Sequence, residues 1–417
     1  MTSLPDHLRR PVRGMRDWLP QQFYALRHME AVLCKVAESF GYRPVETPVV
    51  EHFDVLAKKA GREVINEIYF FRDKAGRELG LRFDMTVPIA RVLSYSLDLP
   101  KPVRWYYFTK VFRYDEPQHG RYREFYQFGV ELIGSSSPRA DAEVLYLLSE
   151  ALKAAGAGDF VIRLNDRRAV DRLLRELEVE PYRDVIYRAL DKKLKLARGE
   201  VVKIMTDGGV PTEKAERIYD MATESPLQDA VDLMAKLDPS LAAFYSRLVR
   251  YLEAAVPLEK ITFDLSVVRG LDYYTGVVFE AFAGRYKLAV GGGGRYDDLL
   301  QIYSGVKTPA LGFAIGVERL MEAVGLQALE KPLDYYIYIF DESAYQKAVA
   351  VAERLRARGH SVAIEVEERN LKDVFEYVLK LGTRHLALIG RKELERGVVK
   401  IRDLERRVEY EVAIDEL

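Results

Sequence analysis

Residues 103–133 constrain the fold more than any other stretch. Val103–Tyr114 and Arg123–Ile133 are two long runs rich in aromatic and β-branched residues, joined by Asp115–Tyr122. Runs of this kind across a short connection pair antiparallel. A second hairpin is expected from Ile68–Phe71 and Glu78–Phe83 across the turn-forming Asp73–Gly76. Apolar spacing predicts helices over 22–41, ending at Gly41, and over 140–155. Between them Tyr42–Val50 reads as strand-like, punctuated by Pro44 and Pro48. Helices alternating with antiparallel strand pairs predict an α+β chain, not a doubly wound parallel sheet.

The pattern changes twice further on. Residues about 170–255 are almost entirely helix-forming and read as a helical insertion. Strand character returns from Ile261 to Phe282 and at Lys287–Val290, meets four glycines, and ends in a helix over 316–324. Beyond a linker at 326–332, residues 333–417 alternate strand and helix with short connections, as a small α/β domain does. The expected division is therefore 1–325, linker, and 333–417.

Composition narrows the class. With 48% hydrophobic and 30% charged residues the chain has material for large cores and a polar surface. No run reaches the roughly 18–20 apolar residues of a membrane span. The start lacks an apolar h-region, so neither a membrane role nor secretion is expected. One cysteine, Cys34, excludes a disulfide framework, and the six histidines form no metalloprotease-type pair. Asparagine occurs only at 66, 165 and 370 among many charges, a composition leaning toward a heat-adapted source. A net charge of -1 argues against a uniformly basic nucleic-acid binder. Locally the balance differs. Lys101–Arg123 holds six basic residues against Asp115 and Glu116, and 369–407 holds 11 basic against 6 acidic.

Three segments carry chemistry. In Phe112–Gly134 a loop bearing Arg113, Arg121 and Arg123 has the planar forks that suit phosphate oxygens, although a solvated hairpin would look the same. On the returning strand Arg123, Phe125, Gln127, Gly129 and Glu131 share one face. A buried face holding Gln127 and Glu131 is costly unless those groups find partners, and a polar ligand would supply them. In 267–280, Arg269 sits amid Val267, Val268 and Leu271 and needs an anion, either Asp272 or a substrate. The glycines of AVGGGGRYDDLL allow close approach of backbone to a ligand but match neither dinucleotide nor P-loop spacing. GFAIGVERL is a strand leading into a helix with Glu318 and Arg319 in its first turns.

In order along nearly the whole chain, these segments resemble class II aminoacyl-tRNA synthetases, and among them the histidyl-tRNA synthetases. GYRPVETPVVE, with Pro48, is similar to the first class motif at the dimer interface; FRYDEPQHGRYREFYQ to the second; GFAIGVERL to the third. LRFDMTVPIAR resembles the amino-acid-binding segment, and RGLDYYTG and GGGGRYD the two histidine-specific segments. The resemblance implies an antiparallel sheet flanked by helices, a helical insertion and a C-terminal anticodon-binding α/β domain. It implies a cytoplasmic homodimer that joins L-histidine to tRNA(His) through histidyl-adenylate, using ATP with Mg²⁺. By the same resemblance Arg113 and Arg269 hold the α-phosphate, Arg121 and Arg319 the γ-phosphate, and Asp115 belongs to the ATP site. Asp84, Thr86 and Gln127 take the ammonium group of histidine, while Glu131 and Tyr274, with Tyr273 beside them, take its imidazole.

Asp115 stands where the second motif often carries glutamate, and Asp84 where the bacterial-type amino-acid segment does; both resemble archaeal and eukaryotic members. Asp373 and Val374 depart from the usual residues of the last domain. The competing readings are a histidine-sensing regulatory subunit of ATP phosphoribosyltransferase, which generally lacks that domain and the arginines, and a tRNA-binding paralogue.

Overall fold

The computed structural model describes residues 5–58, 62–117, 120–193, 196–268 and 274–417. The chain divides into two compact units, Met1–Ala328 and Leu329–Leu417.

Unit 1 is built on a nine-stranded sheet. Its strands in chain order are β1 (Arg43–Pro44), then, after a small three-stranded sheet of β2 (Val50–His52), β3 (Phe70–Arg72) and β4 (Glu78–Leu81), β5 (Val103–Phe112) and β6 (Glu124–Ile133). They continue with β7 (Phe160–Asp166), β8 (Ser225–Pro226), β9 (Ile261–Phe263), β10 (Val277–Ala283), β11 (Gly291–Arg295) and β12 (Ala310–Gly316). The order across the sheet is β1-β5-β6-β12-β11-β10-β7-β9-β8, and its central pairs are antiparallel. Helices flank it, so the α+β architecture read from the hairpins is the one found. Six helices between Arg167 and Glu253 separate β7 from β9.

One face of the sheet is closed. Phe128, Val130 and Leu132 of β6 pack with Leu145, Leu148 and Leu152 of the helix Pro138–Ala154 and with Leu26, Met29 and Leu33 of the helix Pro20–Ser39. That second helix starts at a proline, whose missing N–H costs nothing at a helix start. Ser137 caps the other, accepting from Arg139 N.

Two expected strands differ. Tyr42–Val50 is not one strand: it holds the two-residue β1 and the first residue of β2, because Pro44 and Pro48 cannot donate to a ladder. The glycine run, read as a connection after a strand at 287–290, is itself the buried strand β11. It pairs with β10 and β12 at Gly293↔Phe279 and Gly293↔Phe313. A Cβ at 293 would lie 2.6 Å from Phe313 Cα, and one at 294 would lie 2.7 Å from Val277 O. These strands approach so closely that only glycine fits.

Unit 2 is a five-stranded sheet of order β14-β13-β15-β16-β17, with β13 (Tyr335–Ile339), β14 (Val362–Ile364), β15 (His385–Ile389), β16 (Val398–Asp403) and β17 (Val408–Ala413). The first three strands are parallel and the last two add antiparallel. Among the described residues no helix is long and apolar enough to cross a membrane.

Candidate active site

The second face of the large sheet forms the floor of a cleft of about 950 Å³, counting its open mouth. Polar residues reach it from four elements. Arg113 follows β5, and Gln127 stands on β6 beside the apolar Phe125. Asp84 and Thr86 start the helix Thr86–Ser94, and Glu318 and Arg319 lie in the first turn of the helix Val317–Ala323. Six residues separate Phe125 from Glu131, so the polar face of β6 runs about 20 Å. That is long enough for a nucleotide and an amino acid end to end.

The mouth of this slot is basic. Arg121 contacts Asp115 at 3.3 Å, and both line the cleft. Arg319 is fixed by donating from Nε to Gly120 O at 2.6 Å and from Nη1 to Ala289 O at 3.1 Å. Arg113 donates from Nε to Phe83 O at 3.1 Å and lies over the Phe125 ring. Holding one edge of a guanidinium on backbone carbonyls keeps its charge aimed without neutralising it.

The inner end is carboxylate-rich. Glu131 is 1% exposed. Thr86 Oγ1 donates to its Oε1 at 2.8 Å, and the Tyr296 hydroxyl donates to Oε2. Burial pushes the Glu131 carboxyl up to about 8; the two hydroxyls pull it back, and the like charge of Asp84 raises it further. Asp84 accepts from Val87 N at 3.2 Å. Gln127 Oε1 is buried without a hydrogen-bond partner, a group that a donor on a ligand would satisfy. Room for the Glu131 side chain itself is kept by a glycine: a Cβ on Gly312 would collide with its carboxylate.

Of the residues expected from sequence, Asp84, Thr86, Arg113, Asp115, Arg121, Gln127, Tyr274 and Arg319 line this single cleft, and Glu131 lies beneath it, bonded to Thr86. Arg269 and Tyr273 lie outside the described residues. Sequence reasoning left four participants without a role. Tyr296, the partner of Glu131, lies within the quoted GGGGRYD; Tyr107, opposite Gly129, becomes visible once the alternation applied to β6 is applied to β5. Glu318 accepts from Tyr126 N at 3.0 Å, and burial raises its carboxyl to about 7. Tyr122, at the cleft edge, carried no sequence signal.

A family model described as histidyl-tRNA synthetase matches residues 14–320, and one described as an anticodon binding domain matches 333–417. The histidine–tRNA ligase of Pyrobaculum aerophilum is 74% identical over 411 residues, covering 99% of this chain and 98% of that protein. That of Pyrococcus furiosus is 38% identical over 421 residues, covering 97% of each. The crystal structure of histidyl-tRNA synthetase from a Nostoc species aligns with a TM-score of 0.83 at 27% identity, covering 97% of each chain. With its slot, its order of segments and both matched regions in agreement, this chain belongs to the histidyl-tRNA synthetase family.

Proposed function

We infer that the chain, a histidine–tRNA ligase, performs both of its half-reactions in this slot. The carboxylate of L-histidine attacks the α-phosphorus of ATP; an acyl–phosphate bond forms and the bond to diphosphate breaks. A ribose hydroxyl at the 3′ end of tRNA(His) then attacks the acyl carbon, its proton is lost, and AMP leaves.

Negative charge grows at the α-phosphate in the first step, so cations fixed there beforehand lower the barrier most. Arg113, beside β6 at the cleft, takes this role, and by family resemblance Arg269 shares it. Arg121 and Arg319 take the γ-phosphate, and Asp115 orders the loop beneath the nucleotide. Asp84, Thr86 and Gln127 receive the ammonium group of histidine; the orphaned Gln127 Oε1 supports this assignment. Glu131 and Tyr274, with Tyr273 beside them, receive the imidazole nitrogens. Selectivity then follows from burial, since an analogue without ring nitrogens offers the desolvated Glu131 carboxyl nothing beyond the hydroxyls of Thr86 and Tyr296. The observation that carries the reading is the single polar face of β6, with arginines at one end and Glu131 at the other.

Mg²⁺ arrives with ATP on this reading. Among the described residues no group of three or more His, Cys, Asp or Glu side chains could hold a metal ion. The Glu318 oxygens both accept from Tyr126 N. An ion carried in on ATP would neutralise part of the phosphate charge, and no protein step is assigned to it. A homodimer through the first class motif is supported by exposed Phe23, Tyr24, Val49 and Val50, which lie on and beside that segment. Work on tRNA supports a cytoplasmic location on this reading.

The test is histidine-dependent exchange of labelled pyrophosphate into ATP. Robust exchange is expected. Its absence above background would turn the reading toward a histidine-sensing regulatory subunit or a tRNA-binding paralogue.

A further inference from the structure

Residues 13–18 precede the first long helix and have no part in the reaction described above. They lie against the neck of the arginine loop. The Arg123 N–H donates to Gly14 O at 2.7 Å, while the Arg123 carbonyl accepts from Arg113 N at 2.9 Å on the opposite side. The same residue's Nε donates to Asp115 O at 2.9 Å, and its guanidinium lies 4.1 Å from the Tyr114 ring centroid. Arg123 is thus the knot of the loop, and the N-terminal segment supplies one of its ties.

Gly14 is built for this contact. Its φ of +84° is a conformation side chains rarely adopt. A Cβ there would come within 2.8 and 2.9 Å of Arg123 Cγ and Cδ. Two residues on, the Arg16 guanidinium lies 3.6 Å from the Trp18 ring centroid and 4.9 Å from that of Tyr122. Trp18 meets Tyr126 of β6 edge-on at 6.0 Å. The Arg16 charge also lowers the carboxyl of Glu318, among the weaker influences on that group. A planar cation between two aromatic rings transmits the position of one to the other. Tyr122 and Glu318 both line the cleft, and Tyr122 follows Arg121 directly. The Arg13–Glu116 pair joins the same two segments but is exposed and adds little.

We propose that residues 13–18 position the nucleotide-binding loop: Gly14 ties Arg123, and Arg16, clasped by Trp18, sets Tyr122 and with it Arg121 at the mouth of the cleft. Arg16 is a positioning residue, acting on ATP only through Tyr122 and Arg121. The proposal rests on the reading of this loop as the ATP-binding one.

The experiment is pyrophosphate exchange on the full chain with ATP and histidine varied separately. For Arg16→Ala the KM for ATP rises about tenfold, the size of one partly desolvated cation–π contact. The KM for histidine stays within about twofold, because Glu131 and Gln127 do not depend on the clasp. Arg16→Lys keeps the charge without the plane and falls between wild type and Arg16→Ala. Gly14→Ala reproduces the ATP-selective defect by a different route. An unchanged KM for ATP in Arg16→Ala overturns the proposal. So does a parallel rise in both KM values with a lowered unfolding temperature, which is the mark of general packing. If Arg16→Ala does not fold, Arg16→Lys and Gly14→Ala are read by the same criteria. Arg121→Ala is the control. If it leaves the KM for ATP unchanged, the reading of the loop itself fails. If it responds while Arg16 is silent, only the positioning role is lost.

Discussion

The two sheets of this chain treat their faces in opposite ways. In the five-stranded sheet both faces are apolar. Ile337, Ala387 and Ile389 meet Val351 and Leu355 on one side, while Tyr336, Tyr338 and Leu386 meet Val374 and Val378 on the other. In the nine-stranded sheet only one face of β6 is closed, by Phe128, Val130 and Leu132. The other carries Phe125, Gln127 and Glu131 toward a cleft. Covering both faces maximises burial and yields a rigid presenting module. Leaving one face polar gives up part of that stabilisation and holds desolvated charges where a substrate can use them.

This contrast can be broken at its strongest point first. Arg113→Ala, at the open face, is expected to slow histidine-dependent exchange by about 100- to 1000-fold with the fold intact, as for removal of one preorganised charge. A single-turnover adenylation rate near wild type would remove Arg113 from its role. Next is the floor. Gly293→Ala is expected to cost about 3 kcal/mol by overpacking β11 against β12, read from the denaturant midpoint. Gly158→Ala, where an added Cβ meets nothing within 4 Å, is the matched control and should be near neutral.

The buried carboxyl gives a pH dependence whose sign is the reverse of the usual acidic group. Burial pushes the folded Glu131 carboxyl from the usual 4.5 up to about 8, so above the unfolded pKa the native state keeps a proton that the unfolded chain has lost. Its contribution to stability therefore falls as pH rises toward 8, by up to about 1.4 kcal/mol per pH unit. Glu131→Gln should flatten that slope in the unliganded protein. In exchange assays the KM for histidine should fall as pH rises through 8 in the wild type, because the ionised carboxylate accepts the imidazole N–H, and should lose that trend in Glu131→Gln. Smallest in its effect on chemistry is Val378→Ala in the other sheet. It should destabilise that unit by about 2 kcal/mol while leaving the exchange rate unchanged; a slower exchange would mean that the closed sheet is not merely a presenting module.

Legibility in the sequence followed the range of the cause. The β5–β6 hairpin and the polar face of β6 were readable because alternation is a local, period-two signal, and a glutamine and a glutamate on a buried face are conspicuous. The glycine run was misread because the reason for it lies elsewhere. Glycine is a poor strand former, and what demands it at 291, 293 and 294 is the closeness of Ile315, Phe313, Val277 and Tyr274. Tyr296 stood inside a quoted segment without a role, since its partner Glu131 is 165 residues away.

By itself, then, the sequence determined the α+β class, the family and most of the polar residues lining the slot, because periodicity and ordered motifs are properties of the chain. Tertiary structure alone decided that Glu131 is held by two hydroxyls at a raised pKa, that four glycines make a strand, and that Gly14 and Arg16 lie against a loop a hundred residues downstream. Each depends on distance and desolvation between segments remote in sequence, and no local pattern encodes either quantity.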